Sequence, residues 1–138
     1  VCAFANWPDK LAARKHAAPM HIADWLPTIA SLVGYEARTE LKWDGVNQWS
    51  ALTGAAPPQP RSIYIAMNGG QSLRHGDWKL IRRDKGQLLL FHIAADPYEQ
   101  TDLFPTQPGK AAELQKLLEE QHAQDDPKLP EDLKGAPN

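Results

Sequence analysis

From Ser62 to Ile93 the chain reads SIYIAMNGGQSLRHGDWKLIRRDKGQLLLFHI, and no other stretch limits the fold as tightly. Three runs rich in β-branched, aromatic and aliphatic residues, Ser62–Met67, Ser72–Arg83 and Gln87–Ile93, are separated by glycine-bearing breaks. Parallel neighbours need a crossover of a dozen or more residues, and these breaks have no room for one. The runs must therefore pair antiparallel with their sequence neighbours, as a meander. His75-Gly76-Asp77 interrupts the middle run and reads as a hairpin turn or a bulge; a turn adds a fourth strand, Trp78–Arg83. Asp84-Lys85-Gly86 is a second turn, where Gly86 can take positive φ.

A helix follows over residues 108–124. Ala111, Leu114, Leu117, Leu118 and Gln121 form its stripe, Thr106 is the predicted cap, and Pro108 suits the first turn. The predicted fold is α+β: a small antiparallel sheet of about four strands packed against a C-terminal α-helix. Residues 125–138, rich in proline and charge without an apolar period, read as an exposed tail.

The first third belongs to a different pattern. VCAFANW (residues 1–7) mixes small, β-branched and aromatic residues and reads as a short buried strand stopped by Pro8. Residues 9–18 are a polar loop. Ile22, Leu26, Ile29 and Val33 fall at helical spacing, with Pro27 tolerable in a first turn that starts near Asp24 and Gly34 closing the helix. Residues 35–61 are a glycine- and proline-bearing connection with a short helical turn at Gln48–Leu52. A chain that opens on Val1, inside a strand-like run, is expected to be part of a larger protein.

Composition removes several classes. The net charge of −2 and scattered basic residues give no phosphate-tracking surface, so nucleic acid is not an expected partner. No apolar run approaches the ~18–20 residues of a membrane span. One cysteine, Cys2, excludes an internal disulfide and any multi-cysteine zinc cluster.

The residues that invite chemistry have plain structural readings. Asp96, Glu99 and Asp102 could offer oxygen ligands to calcium, but their spacing lacks the alternating donors and central glycine of a calcium loop. They are expected to bind backbone amides and mark turns. His21 and Asp24 are placed to touch at a helix start. His92 should point away from Phe91 and Ile93. Arg74 and His75, beside a strand break, would make an anion-facing pair if a pocket opened there. Trp25 and Trp78 are expected to supply core area, and Trp43 and Trp49 to meet a partner. No phosphate loop, serine triad order or metal-spaced cluster appears, so the residues alone assemble no complete active site.

Six segments in order, VCAFANWPDK, APMHIADWLPTIASLVG, WDGVNQWSALTG, PRSIYI, LRHGDWKLIRR and LLLFHIAADPYEQTDL, resemble the C-terminal region of type I sulfatases. The resemblance is strongest to the arylsulfatase B and N-acetylgalactosamine sulfatase branch of the alkaline-phosphatase-like superfamily. It implies that residues 1–34 are a strand and helix left over from a large α/β catalytic domain and that 35–61 connect it to a small domain. Residues 62–124 would be that small sheet-and-helix domain.

The resemblance also implies sulfuric ester hydrolysis by a parent enzyme that uses a formylglycine and a calcium ion. Neither site maps onto this chain: Cys2 begins CAFAN, without the formylglycine motif. No catalytic and no metal-binding residue carries over, and the chain by itself is expected to be inactive and without cofactor. Asn68, Arg74 and His75 are the candidates for a substrate rim. The implied partners are the upstream catalytic domain of the same chain and, for the parent, a sulfated sugar or small molecule. The implied location is the periplasm or the exterior. The Ile22–Val33 helix, cut from its sheet, should pack on the small domain or form a homodimer. Two other readings are a free-standing binding or oligomerisation module and a parent acting on phosphate or phosphonate esters.

Overall fold

The computed structural model describes residues 3–35, 43–67 and 69–125. The chain divides into two compact units, Val1–Arg61 and Ser62–Asn138, at the boundary where the strand pattern begins.

The second unit is the meander. Strands β1 (Ser62–Met67), β2 (Gly70–His75), β3 (Trp78–Arg83) and β4 (Leu88–His92) form one antiparallel sheet in sequence order. The break at Gly76-Asp77 is a two-residue hairpin turn between paired His75 and Trp78, and Gly76 takes φ 57° there. The fourth strand follows from that turn. Register places Tyr64, Leu73, Leu80 and Leu90 side by side across the four strands, on one face.

Helix α1 (Trp25–Leu32) and the short α2 (Trp49–Thr53) belong to the first unit, and α3 (Pro108–His122) lies on that leucine row. Ala111, Leu114 and Leu118, spaced three and four apart, meet Leu73, Leu80 and Leu90 in one cluster, every member at most 2% exposed. Burying each leucine contributes about 1.5–3 kcal/mol. Pro108 opens the helix as expected, but the residue before it, Gln107, holds the cap position without a side-chain bond. Thr106 is not the cap: it lies one residue too early, and its hydroxyl donates to Leu103 O within the preceding turn.

The sheet's outer border at β4 is closed by the chain that follows it. Leu90 N donates to Asp102 Oδ1 at 3.0 Å, and Leu103 N donates to Leu90 O at 2.8 Å. This satisfies backbone groups that an edge strand otherwise leaves open.

In the first unit a 3₁₀ turn over Ile22–Asp24 leads into α1. Pro27 sits in the first turn of α1, where its missing N–H costs nothing. Gly34, at φ 73°, and the Tyr35 N to Ala30 O bond close the helix. α2 covers the expected helical turn. The apolar positions of α1 remain uncovered: Ile22, Leu26, Ile29 and Val33 are 55–76% exposed.

The strand expected over residues 1–7 is not formed in its described part. Ala3–Trp7 belongs to no strand or helix, and Trp7 O accepts from Lys10 N and Leu11 N in a turn with Asp9 at φ 64°. A strand exists only with a ladder partner, and the described residues of this unit contain none. Cys2 lies outside the described residues.

Candidate functional site

The three carboxylates after β4 are occupied within their own loop and sheet. Asp96 Oδ2 accepts from Gln100 N at 2.7 Å and Thr101 N at 2.8 Å. Asp102 Oδ1 accepts from Leu90 N and Phe104 N. Glu99, at φ 56°, pairs with Lys79 Nζ at 2.6 Å. Each carboxylate thus holds its own stretch of chain rather than converging on a common point. Among the described residues no group of three or more His, Cys, Asp and Glu side chains could hold a metal ion. The donor set does not fit the calcium that the sulfatase resemblance implies.

The rim candidates separate. Side chains alternate along β2, so His75 shares the α3 face with Leu73 while Arg74 takes the opposite face. Arg74 Nε donates to Gly76 O at 3.1 Å, folding the guanidinium over its own hairpin turn. His75 Nδ1 lies 3.0 Å from Ser62 Oγ on β1. Both side chains are half-buried at the same end of the sheet, but they do not form one anion-facing pair. Asn68 lies outside the described residues.

His21 and Asp24 meet as a reciprocal helix cap. His21 Nδ1 accepts from Ala23 N at 3.3 Å, and Asp24 Oδ2 accepts from His21 N at 2.8 Å. The other oxygen of Asp24 accepts from Val46 N at 3.0 Å and from the Arg61 guanidinium. Burial opposes the charge of Asp24, but the Arg61 bond, the two amides and the Arg61 charge outweigh it and hold the carboxyl below the ordinary range. His92 packs edge-on against Trp78, its cross-strand partner, at 4.6 Å and accepts from Ala95 N, on the face opposite Phe91; Ile93 lies in the turn beyond the strand. His16 has a buried Nε2 with no partner among the described residues.

Two hollows remain. The first unit holds an apolar cavity of about 290 Å³ lined by Trp7, Trp25, Trp49, Leu11, Ile29 and Leu52, with Trp7 and Trp49 tilted at 5.5 Å. No titratable side chain lines it, so it suits packing rather than proton transfer. Trp43 stacks on Tyr35 at 6.1 Å.

The second hollow is an open groove of about 500 Å³ in the sheet unit, between the Arg83–Gly86 hairpin and the end of α3. At its floor lies a polar cluster the sequence did not reveal. Gln71 receives Arg82 Nε at 2.7 Å, donates to Tyr64 Oη at 2.9 Å, and meets His122. Tyr64 donates to Asp125 at 2.7 Å. Burial first, then the hydrogen bond and charge of Asp125, push the Tyr64 hydroxyl up to about 12. Asp125 is held below the ordinary range, chiefly by the Tyr64 bond and then by His122.

No family model matches the chain. Solved structures do. Ps i-CgsB, also solved with k-i-k-neocarrahexaose, superposes with a TM-score of 0.72 at 23% identity, covering 83% of this chain and 27% of that one. yidJ from Bacteroides fragilis, assigned as a sulfatase, gives 0.66 at 18% identity over 85% of this chain and 28% of that one. Over the part that superposes, this chain shares the fold of these solved structures, sulfatases among them. A third neighbour, solved with its substrate D-glucosamine-2-N,6-O-disulfate, gives 0.57 at 23% identity over 73% and 23%. The chain therefore spans about a quarter of the length of the solved structures it matches.

Proposed function

We propose that these 138 residues are the C-terminal region of a sulfuric ester hydrolase, and that they support its catalytic domain and substrate pocket without performing the chemistry themselves. The observation that carries this reading is the superposition on sulfatase structures over 83–85% of this chain but only 27–28% of theirs. The remaining length is where a catalytic domain would lie.

In that reading the formylglycine and calcium belong to the upstream part of the parent, and the substrate is a sulfated sugar or small molecule. Sulfated sugar chemistry is favoured because one neighbour was solved with a sulfated glucosamine as its substrate. Asn68, Arg74 and His75 are the proposed rim, with Arg74 and His75 serving from opposite faces of the sheet. The exposed face of α1 and the apolar cavity beside it are proposed to be covered by the parent's catalytic domain. In the isolated chain that same surface should bury itself in a homodimer.

The deciding experiment isolates the native protein with an antibody raised to this chain and weighs it. A mass of roughly 50–60 kDa, a chain of several domains, is expected. A mass of 15.4 kDa overturns the reading and leaves a free-standing binding module. The isolated chain should not hydrolyse an aryl sulfate, an aryl phosphate or a phosphonate ester, with or without calcium. Turnover lost on Arg74→Ala or His75→Ala would place catalysis here.

A further inference from the structure

One ring nitrogen at the end of α3 has more claimants than it can serve. Arg82 aims Nε and Nη2 at Oε1 of Gln71, which fixes the amide with Nε2 toward the helix. That Nε2 stands 2.9 Å from the Tyr64 hydroxyl and 2.9 Å from His122 Nδ1. Oδ2 of Asp125 stands 2.9 Å from the same Nδ1. Nδ1 carries a lone pair in one neutral tautomer and a proton in the other neutral tautomer and in the imidazolium, where the bond to a carboxylate is charge-assisted. With a lone pair it accepts from Gln71 and faces the Asp125 carboxylate with no hydrogen between them. With a proton it donates to Asp125, and Gln71 Nε2 turns to the Tyr64 hydroxyl, which accepts.

We infer that His122 is a proton-operated clasp between the end of α3 and the sheet: protonation makes its contact with Asp125 a charge-assisted hydrogen bond and tightens the 122–125 turn, which Tyr64 also holds through Asp125, and deprotonation loosens it. The groups facing it are Tyr64 on β1, Gln71 on β2, Arg82 on β3, Glu119 on α3 itself and Asp125. Arg83, Asp84 and Lys85 line the same groove from the hairpin. Arg82 is engaged by Gln71 and Glu119. Asp125 is held below the ordinary carboxylate range and the Tyr64 hydroxyl is pushed up to about 12, so neither changes state between pH 5 and 8, the interval in which imidazole chemistry in general responds to pH. This clasp does not rest on the hydrolytic reading.

The test is amide hydrogen exchange at Ala123, Gln124 and Asp125 in the 138-residue chain, corrected for intrinsic rates, from pH 5 to pH 8. Protection about three- to ten-fold higher at pH 5 is expected, following the His122 ring shifts. The rise should vanish in His122→Gln. A cation in the last turn of a helix also favours the free carbonyls, and that contribution survives in Asp125→Asn. A sharply reduced rise in Asp125→Asn therefore supports the clasp. A flat wild-type profile, a rise that persists in His122→Gln, or an unchanged rise in Asp125→Asn overturns it.

Discussion

Asp24 and Arg61 form an ion pair that ties the entrance of α1 to the last residue of its unit, 37 positions later. The carboxylate is fully buried and the Arg61 side chain is 15% exposed. Asp24 also holds the amides of His21 and Val46, so separate stretches of chain meet at one side chain. Removing one partner of a buried pair leaves a charge without compensation. Asp24→Ala and Arg61→Ala should each cost about 3–5 kcal/mol in urea unfolding.

The pair also gives stability a pH dependence. The folded carboxyl lies below its ordinary value, so the unfolded chain binds a proton first as pH falls. The contribution of Asp24 is fully present above about pH 4 and lost as pH falls through the folded value. Denaturant midpoints measured from pH 6 to pH 2 should drop more steeply in wild type than in Asp24→Asn.

Gly45 lets the 44–46 loop reach Asp24. A Cβ there would stand 2.1 Å from the Ala23 carbonyl oxygen, and the neighbour is backbone that cannot swing aside. Gly45→Ala should destabilise by about 1–3 kcal/mol through overlap. At Gly76 the added Cβ meets open space and the cost is conformational alone, about 1–2 kcal/mol for a left-handed residue. Combining Gly45→Ala with Asp24→Asn tells whether the loop displacement acts through Asp24. Strong non-additivity is expected.

In the sheet unit, Leu80→Ala and Leu114→Ala should each cost about 2–5 kcal/mol, because both side chains are at most 1% exposed within one cluster. Leu117→Ala, at the margin of that cluster, should cost less in the same unfolding measurement.

Carboxylates already engaged by backbone amides do not bind calcium well. Adding calcium or a chelator should leave the Tm of the isolated chain unchanged, whereas Asp102→Ala should lower it by releasing the Leu90 and Phe104 amides. A calcium-dependent rise in Tm would make the 96–102 loop a metal site after all.

The meander is legible in the sequence because its turns are short and carry glycine, which leaves one pairing scheme. α3 is legible because its leucines repeat at three and four. The strand expected over residues 1–7 is not formed over its described residues 3–7, since apolar composition signals burial or pairing without naming the partner that pairing needs. The structural role of Asp96 and Asp102 is legible from Pro97 and the turn chemistry around it. The Tyr64–Gln71–Arg82–His122–Asp125 cluster is invisible in the sequence, because it depends on register: Gln71 and Arg82 are cross-strand partners, and His122 joins them 51 residues downstream. The exposure of α1 has a sequence signal in its four apolar positions, but only the structure leaves them uncovered.

Asp102 and Leu103 occupy the outward amide and carbonyl of Leu90, in the middle of the β4 border. An edge strand whose central residue is already paired is a poor template for another strand. Should a further strand approach β4, from the same chain or another, it meets no open backbone at Leu90 and must first displace residues 102–103.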